Sequence, residues 1–302
     1  MTDVPGIAPR APEPFDPDAF DPAAFGPEWS AGRRHGTDAE LRQWLDLAVA
    51  CCDAADPIAL RHFRRDLQVD RKADRTLVTQ ADRRIEEVVR ERLLAAHPDH
   101  GLIGEEYGPE AADASVRWYI DPIDGTHNYV RGVPLFGTII GVERDGEIQA
   151  GVLSAPAMHQ RWVAWRGGGA WSLVRAGDGW SAPRRVHVSD VRDLAEAQVL
   201  YSSPFDVMRS GWAPGMQSLM DRIWRDRGFG DYWGYTLVAD AAAEGMIDTD
   251  MKPWDLSAPQ VIVEEAGGRL TDFGGARRID GATMLASNGH LHGALLAGLA
   301  GR

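Results

Sequence analysis

The stretch Arg117-Trp-Tyr-Ile-Asp121-Pro-Ile-Asp124-Gly-Thr126-His-Asn-Tyr-Val130 decides how the rest of the chain is read. Trp118 to Ile120 reads as a short apolar strand that stops at Asp121, because Pro122 cannot donate to a sheet ladder and holds the residue before it extended. Asp121 and Asp124 then sit together at a strand end. Gly125 lets the backbone approach a ligand closely, and Thr126 brings a hydroxyl to the start of a helical turn. Carboxylate oxygens suit a hard divalent cation, and free backbone N–H groups suit a phosphate beside it. The same residues would also serve a plain strand ending in a Pro/Asp/Gly turn, so the surrounding chain has to choose.

Downstream, Gly137 to Glu143, Gln149 to Leu153 and Arg161 to Trp165 are strand-like runs separated by Asp145-Gly146, Ala155-Pro156 and Gly167-Gly-Gly169, which implies an antiparallel sheet. No Lys-Ser/Thr follows the three glycines, so they read as a hairpin turn and not a phosphate loop. Upstream, Thr37-Asp-Ala-Glu40 has capping-box spacing, and Leu41, Trp44, Leu45 and Ala48 follow at helical intervals toward Cys51 and Cys52. A second helix carries Ile85, Val88, Val89 and Leu93 on one stripe behind Thr79 and Asp82, which by themselves make an ordinary capping box. Gly101 to Gly104 returns toward the core and delivers Glu105 and Glu106, either into a cleft or onto a solvated turn.

In the second half, Ala197 to Tyr201 reads as a strand, Ser218 to Trp224 and Leu237 to Ala243 as helices, and Arg269 to Asp272 and Met284 to Ser287 as closing strands. Asp255 caps a helix that tolerates Pro259 near its first turn and stops at Gly267. Residues 1–36 are rich in Pro, Asp and Ala, with Phe15, Phe20 and Phe25 in a near-duplicate pattern, and are expected to form an extended or disordered arm. The expected organisation is that arm, an α+β unit over 37–185 and an α/β unit over 186–302.

The totals narrow the function. A formal charge of −13 argues against a nucleic-acid or anionic-membrane partner. The 2 cysteines are adjacent, so they supply neither a disulfide framework nor a four-ligand zinc site. No basic, apolar leader pattern and no run of membrane-spanning length occurs, and a cytoplasmic protein is expected. No Cys is followed six residues later by Arg, and no Asp-x-Asp-x-Thr/Val loop occurs. The 9 histidines include no His-x-x-x-His pair, against zinc catalysis.

Glu105-Glu106, Asp121-Pro-Ile-Asp124-Gly-Thr126, and Trp254-Asp255 with Glu265-Ala-Gly-Gly268, in that order, resemble the signatures of the inositol-monophosphatase-like family of magnesium-dependent phosphatases. The resemblance runs from Lys72 to about Ser287. It implies an α/β/α/β/α sandwich with an antiparallel first sheet, a mixed second sheet and the site between them. By position it implies Glu105, Asp121, Asp124, Asp255 and the Ile123 carbonyl as ligands for two or three Mg²⁺ ions, with Mn²⁺ as a substitute. It further implies Thr126, Asp82, Glu105 and Thr79 as catalytic groups, Thr126 bonding the attacking water and Asp82 relaying its proton. Backbone N–H groups of Gly125 and Thr126 would hold the phosphate.

Asn128 to Pro134, Gly230-Asp-Tyr-Trp233 and the acidic segment from Asp248 to Asp250 are most similar to the histidinol-phosphatase branch. Histidinol phosphate carries an ammonium and an imidazole, which Asp231, Trp233 and Asp248 would suit. The inositol branch is the enzymatic alternative, and a regulatory binding partner the non-catalytic one. The resemblance also implies a homodimer acting on a small phosphate ester.

Overall fold

Helix α1 (Asp38–His62) buries Leu41, Trp44, Leu45, Ala48, Cys51 and Cys52 along one stripe, as their helical spacing requires. The computed structural model describes residues 38–65, 67–72, 76–177 and 179–301; the arm expected over 1–36 and the cap expected at Thr37 lie outside them. Strands β1 (Val69–Arg71) and β2 (Leu77–Thr79) form an antiparallel pair. They lead into α2 (Gln80–Ala96), which Thr79 caps reciprocally with Asp82.

The first sheet follows: β3 (Gly101–Gly104), β4 (Gly108–Glu110), β5 (Val116–Asp124), then, beyond the short helix α3 (Thr126–Val130), β6 (Gly137–Arg144), β7 (Glu147–Ala155), β8 (Gln160–Trp165), β9 (Gly169–Ala176), β10 (Gly179–Trp180) and β11 (Arg184–Val186). Their order is β10-β9-β8-β7-β6-β5-β3-β4, with β11 also on β9. All neighbours run antiparallel except β3 and β5, a parallel pair within the antiparallel sheet that was expected. Strand β4 turns back along the outer edge of β3, so the chain re-enters on the inner side in its original direction.

The second half runs β12 (Gln198–Tyr201), α4 (Pro204–Val207), α5 (Ala213–Met220), β13 (Arg225–Arg227), α6 (Asp231–Ala239), β14 (Gly245–Thr249), α7 (Pro253–Glu265), β15 (Arg269–Thr271), β16 (Thr283–Ser287) and α8 (His292–Leu299). Its sheet has the order β13-β12-β14-β16-β15 and is mixed, since β12 is parallel to both neighbours while β14, β16 and β15 alternate. Two helices differ from the periodicity reading. Helix α5 starts with Pro214 in its first turn and ends at Met220, short of the expected Trp224. Helix α6 starts at Asp231 and ends at Ala239, because Gly230 is still extended and Ala241 is left-handed.

Side-chain alternation sets the layers. Trp118, Ile120, Val152 and Val163 face α1 and α2, whereas their neighbours Tyr119, Leu153 and Trp162 face α6 and α7. In the second sheet Leu200, Met246 and Met284 face the same two helices, and Val199, Ile247 and Leu285 face α5 and α8. Four apolar interfaces thus join five layers in the order α/β/α/β/α.

Helix α7 lies unusually close to the first sheet. Gly141 on β6 is paired with Gly151 on β7. A Cβ at Gly141 would lie 2.4 Å from Ser257 Cβ, and one at Gly151 would lie 2.6 Å from Ala258 Cα. The two glycines make a flat seat that lets the start of α7 reach the end of β5. Pro259 lies inside α7 and not near its first turn; it withholds the N–H that would otherwise bond the Asp255 carbonyl.

Candidate active site

Strand β5 does not stop at Asp121. It continues through Pro122 to Asp124, and Pro122 uses its carbonyl to accept the Thr138 hydroxyl at 2.9 Å. Residues three apart on a regular strand face opposite sides. Here the pairing with β6 slips between Asp121 and Asp124, and this irregularity turns both carboxylates toward one place. Gly125 follows at φ 80°, where a Cβ would lie only 2.8 Å from the Leu135 carbonyl oxygen. The third carboxylate comes from the first turn of α7, where Asp255 Oδ2 accepts the Lys252 N–H at 2.8 Å.

One oxygen from each of Asp121, Asp124 and Asp255 lies within 4.8 Å of the others. Burial, followed by the charges of Glu105, Asp124 and Asp255, pushes Asp121 well above the usual carboxylate range. Burial and the charges of Asp231 and Asp255 do the same to Asp124, against the N–H bond from Tyr232. Asp255 is pushed up to about 7, by burial first. Asp121 Oδ1 is buried and has no hydrogen-bond partner. Converging, desolvated, mutually repelling carboxylates with an orphaned oxygen are what a hard divalent cation would relieve, so these residues fit the metal that the sequence implies.

Glu105 lies beside this trio but outside it. Its N–H donates to the Ile120 carbonyl, and its carboxylate accepts from Lys72 Nζ at 2.8 Å, which also reaches Glu106 at 2.7 Å. The Ile123 carbonyl accepts the Thr126 hydroxyl at 2.9 Å. That hydroxyl is also 3.4 Å from Asp82 Oδ1, and the Thr79 hydroxyl donates to Asp82 Oδ2, so Thr126, Asp82 and Thr79 form one chain of contacts. Burial, opposed by the Thr79 hydrogen bonds, pushes Asp82 up to about 6. Its capping role and its contact with Thr126 therefore coexist.

The residues expected to meet substrate sit at the start of α6 and on β14. Asp231 is left-handed at φ 54°, accepts from Asn128 Nδ2 at 2.7 Å and lies next to Gly125. Trp233 is half-buried against Phe229, with ring centroids 4.9 Å apart. Asp248 is only 2% exposed and is bonded by the Ser202 hydroxyl, the Thr249 N–H and, at 3.4 Å, the Tyr235 hydroxyl. Burial above all pushes it up to about 7.

Lys72 and Tyr232 received no role in the sequence reading. Arg71 and Arg75 flank Lys72, so nothing in the sequence singled it out as the partner of Glu105 and Glu106. Tyr232 contributes a backbone N–H, which no side-chain pattern announces.

A profile of the inositol monophosphatase family matches residues 40–301. The histidinol-phosphatase of Mycobacterium tuberculosis is 42% identical over 261 residues, 84% of this chain and 97% of that protein. The inositol-1-monophosphatase of Rhizobium meliloti is 32% identical over 237 residues, 76% of this chain and 85% of that protein. The crystal structure of extragenic suppressor protein suhB from Bartonella henselae superimposes with a TM-score of 0.77 at 29% identity, covering 85% of this chain and 98% of the other. Layered fold, clustered carboxylates and relatives together define a phosphoric monoester hydrolase. The chain belongs to the inositol monophosphatase family, which is generally metal-dependent.

Proposed function

We propose that this chain hydrolyses L-histidinol phosphate to L-histidinol and inorganic phosphate. The observation that carries the choice of substrate is the 42% identity to a histidinol-phosphatase over nearly all of that protein's length, against 32% to an inositol-1-monophosphatase. The geometry supports it: a half-buried carboxylate, Asp231, stands beside Gly125 and the metal-type cluster, where a substrate ammonium would find an opposite charge.

In this reading Asp121, Asp124, Asp255, Glu105 and the Ile123 carbonyl would hold Mg²⁺, in two or three copies, with Mn²⁺ as a substitute. A divalent cation supplies a Lewis acid that makes water acidic at neutral pH and offsets the charge of the phosphate. Thr126 orients the attacking water, and Asp82 takes up its proton. With a pKa of about 6, Asp82 is mostly ionised at pH 7 and can do so. Thr79 holds Asp82 in place. The backbone N–H groups of Gly125 and Thr126 hold the phosphate, and Asp231 with Trp233 orients the amino and imidazole end. Asp248, enclosed by Ser202, Tyr235 and Thr249, supports that wall. Water's oxygen bonds to phosphorus and the ester P–O bond breaks with its electron pair on the ester oxygen, which takes a proton from solvent and leaves as histidinol, while Asp82 gives the proton it took up back to solvent.

A cytoplasmic location, expected from the sequence, and a homodimer, implied by the family resemblance, belong to the same proposal; no helix among the described residues is long and apolar enough to cross a membrane. The deciding experiment offers L-histidinol phosphate and inositol 1-phosphate side by side with Mg²⁺, using Asp124→Asn as control. Preference for histidinol phosphate, lost in the variant, is expected. Preference for inositol phosphate would keep the metal chemistry and overturn the substrate.

A further inference from the structure

Glu86 is a fully buried carboxylate, 0% exposed, in the middle of α2, and the chemistry above does not use it. It faces the turn that follows β3. One of its oxygens accepts the N–H of Glu106 at 2.7 Å and the other the N–H of Tyr107 at 3.2 Å. Arg90, one helical turn on, donates to Glu86 at 2.8 Å, binds the Gly108 carbonyl and reaches Glu110 at 3.3 Å. Gly104 completes the fit, since a Cβ there would lie 1.9 Å from Glu86 Oε1.

Residues 106, 107, 108 and 110 are therefore held by side chains of α2, Tyr107 also through its hydroxyl to Glu87 at 2.6 Å, and Glu105 lies within that grip. Its own N–H is tied to β5 through the Ile120 carbonyl at 3.1 Å. Only its side chain remains adjustable, between Lys72 and the carboxylate trio whose charge it perturbs.

We propose that Glu86 is a positioning residue: with Arg90 it locks the turn that presents Glu105, and so sets the affinity of the site for divalent cations. This rests on the reading of Glu105 as a metal ligand. Only a carboxylate satisfies the arrangement, because two backbone donors and a guanidinium point at it. An amide would turn its own NH₂ toward one of those donors. Partners that orient ligands typically govern metal affinity by about 10–100-fold when removed.

The test measures Mn²⁺ binding directly by electron paramagnetic resonance, alongside thermal melting in chelator and Mg²⁺ dependence of phosphate release. The proteins are wild type, Glu86→Gln, Arg90→Gln, Glu91→Gln as a control at an exposed position of α2, and Asp124→Asn. Glu86→Gln is expected to weaken Mn²⁺ binding about 10-fold or more and to raise the half-saturating Mg²⁺ concentration, with kcat recovered at saturation. Arg90→Gln should do the same to a smaller degree, and Glu91→Gln should match wild type. If Glu86→Gln does not fold, Arg90→Gln decides. A folded variant that binds Mn²⁺ like wild type while Asp124→Asn does not overturns the positioning role alone. Wild-type protein that binds Mn²⁺ no better than Asp124→Asn overturns the reading of the site as well.

Discussion

The backbone N–H of Tyr232 donates to Asp124 Oδ2 at 2.6 Å across 108 residues of sequence. This bond ties the start of α6 to the end of β5 and fixes one Asp124 oxygen. Replacing Asp124 by Asn should lower kcat/KM for phosphate release by at least about 100-fold, more than the usual effect of a residue that only orients a ligand. It should also raise the melting temperature in chelator by a few degrees, since one of several mutually repelling buried charges is gone. Loss of activity without that rise would count against the repulsion.

Asp82 gives a pH dependence of defined sign. Its carboxyl is held at about 6, above the ordinary 3.8, so between these values the folded state keeps a proton that the unfolded chain releases. The resulting stability is complete below about pH 4 and lost as pH rises through 6. In chelator, wild type should therefore lose ground to Asp82→Asn between pH 4 and 7, by roughly 3 kcal/mol for a shift of about two units. Urea titrations across that range measure it; a difference that does not vary with pH would contradict the assignment.

Gly141→Ala tests the seat of α7. The new Cβ would press on Ser257 and force α7, with Asp255, away from β5. Overpacking of this kind costs about 1–3 kcal/mol, visible as a lower urea midpoint. The half-saturating Mg²⁺ concentration should rise in the same variant. An unchanged midpoint would mean that the contact relaxes without moving the helix.

Asp231→Asn keeps a side chain that tolerates φ 54° and can still bond Asn128, but removes the charge. The KM for histidinol phosphate should rise by about 10-fold, the scale of one charge-assisted contact, while turnover of inositol 1-phosphate stays the same or improves. Equal losses on both substrates would assign Asp231 a role in shaping α3 and not in reading the ammonium.

Much of this was legible locally. The alternation through Trp118, Tyr119 and Ile120, the Thr79 cap and the stripe from Leu41 to Cys52 each depend on neighbours within a turn or a strand, so their pattern survives in one dimension. The Asp121-Pro-Ile-Asp124-Gly stretch marked the site for the same reason, although its strand was read three residues short. Proline's missing donor was taken as a strand end, whereas the slipped pairing with β6 accommodates it. The parallel β3–β5 pair was missed because it depends on where distant chain returns, and Pro259 was placed too near the start of α7 because the helix begins at Pro253, two residues before Asp255.

By itself, the sequence determined which carboxylates and hydroxyls are candidates for the chemistry and which faces of each element are apolar, because residue identity and local periodicity need no partner to be expressed. Only the tertiary structure decided that Asp255, more than 130 residues from Asp121, would join it within 4.8 Å, that Lys72 would claim Glu105, and that Glu86 would grip the turn beneath. Those outcomes depend on packing across layers. The Gly141–Gly151 seat sets how near α7 can come, and electrostatic and hydrogen-bond partners are chosen by that distance and not by separation along the chain.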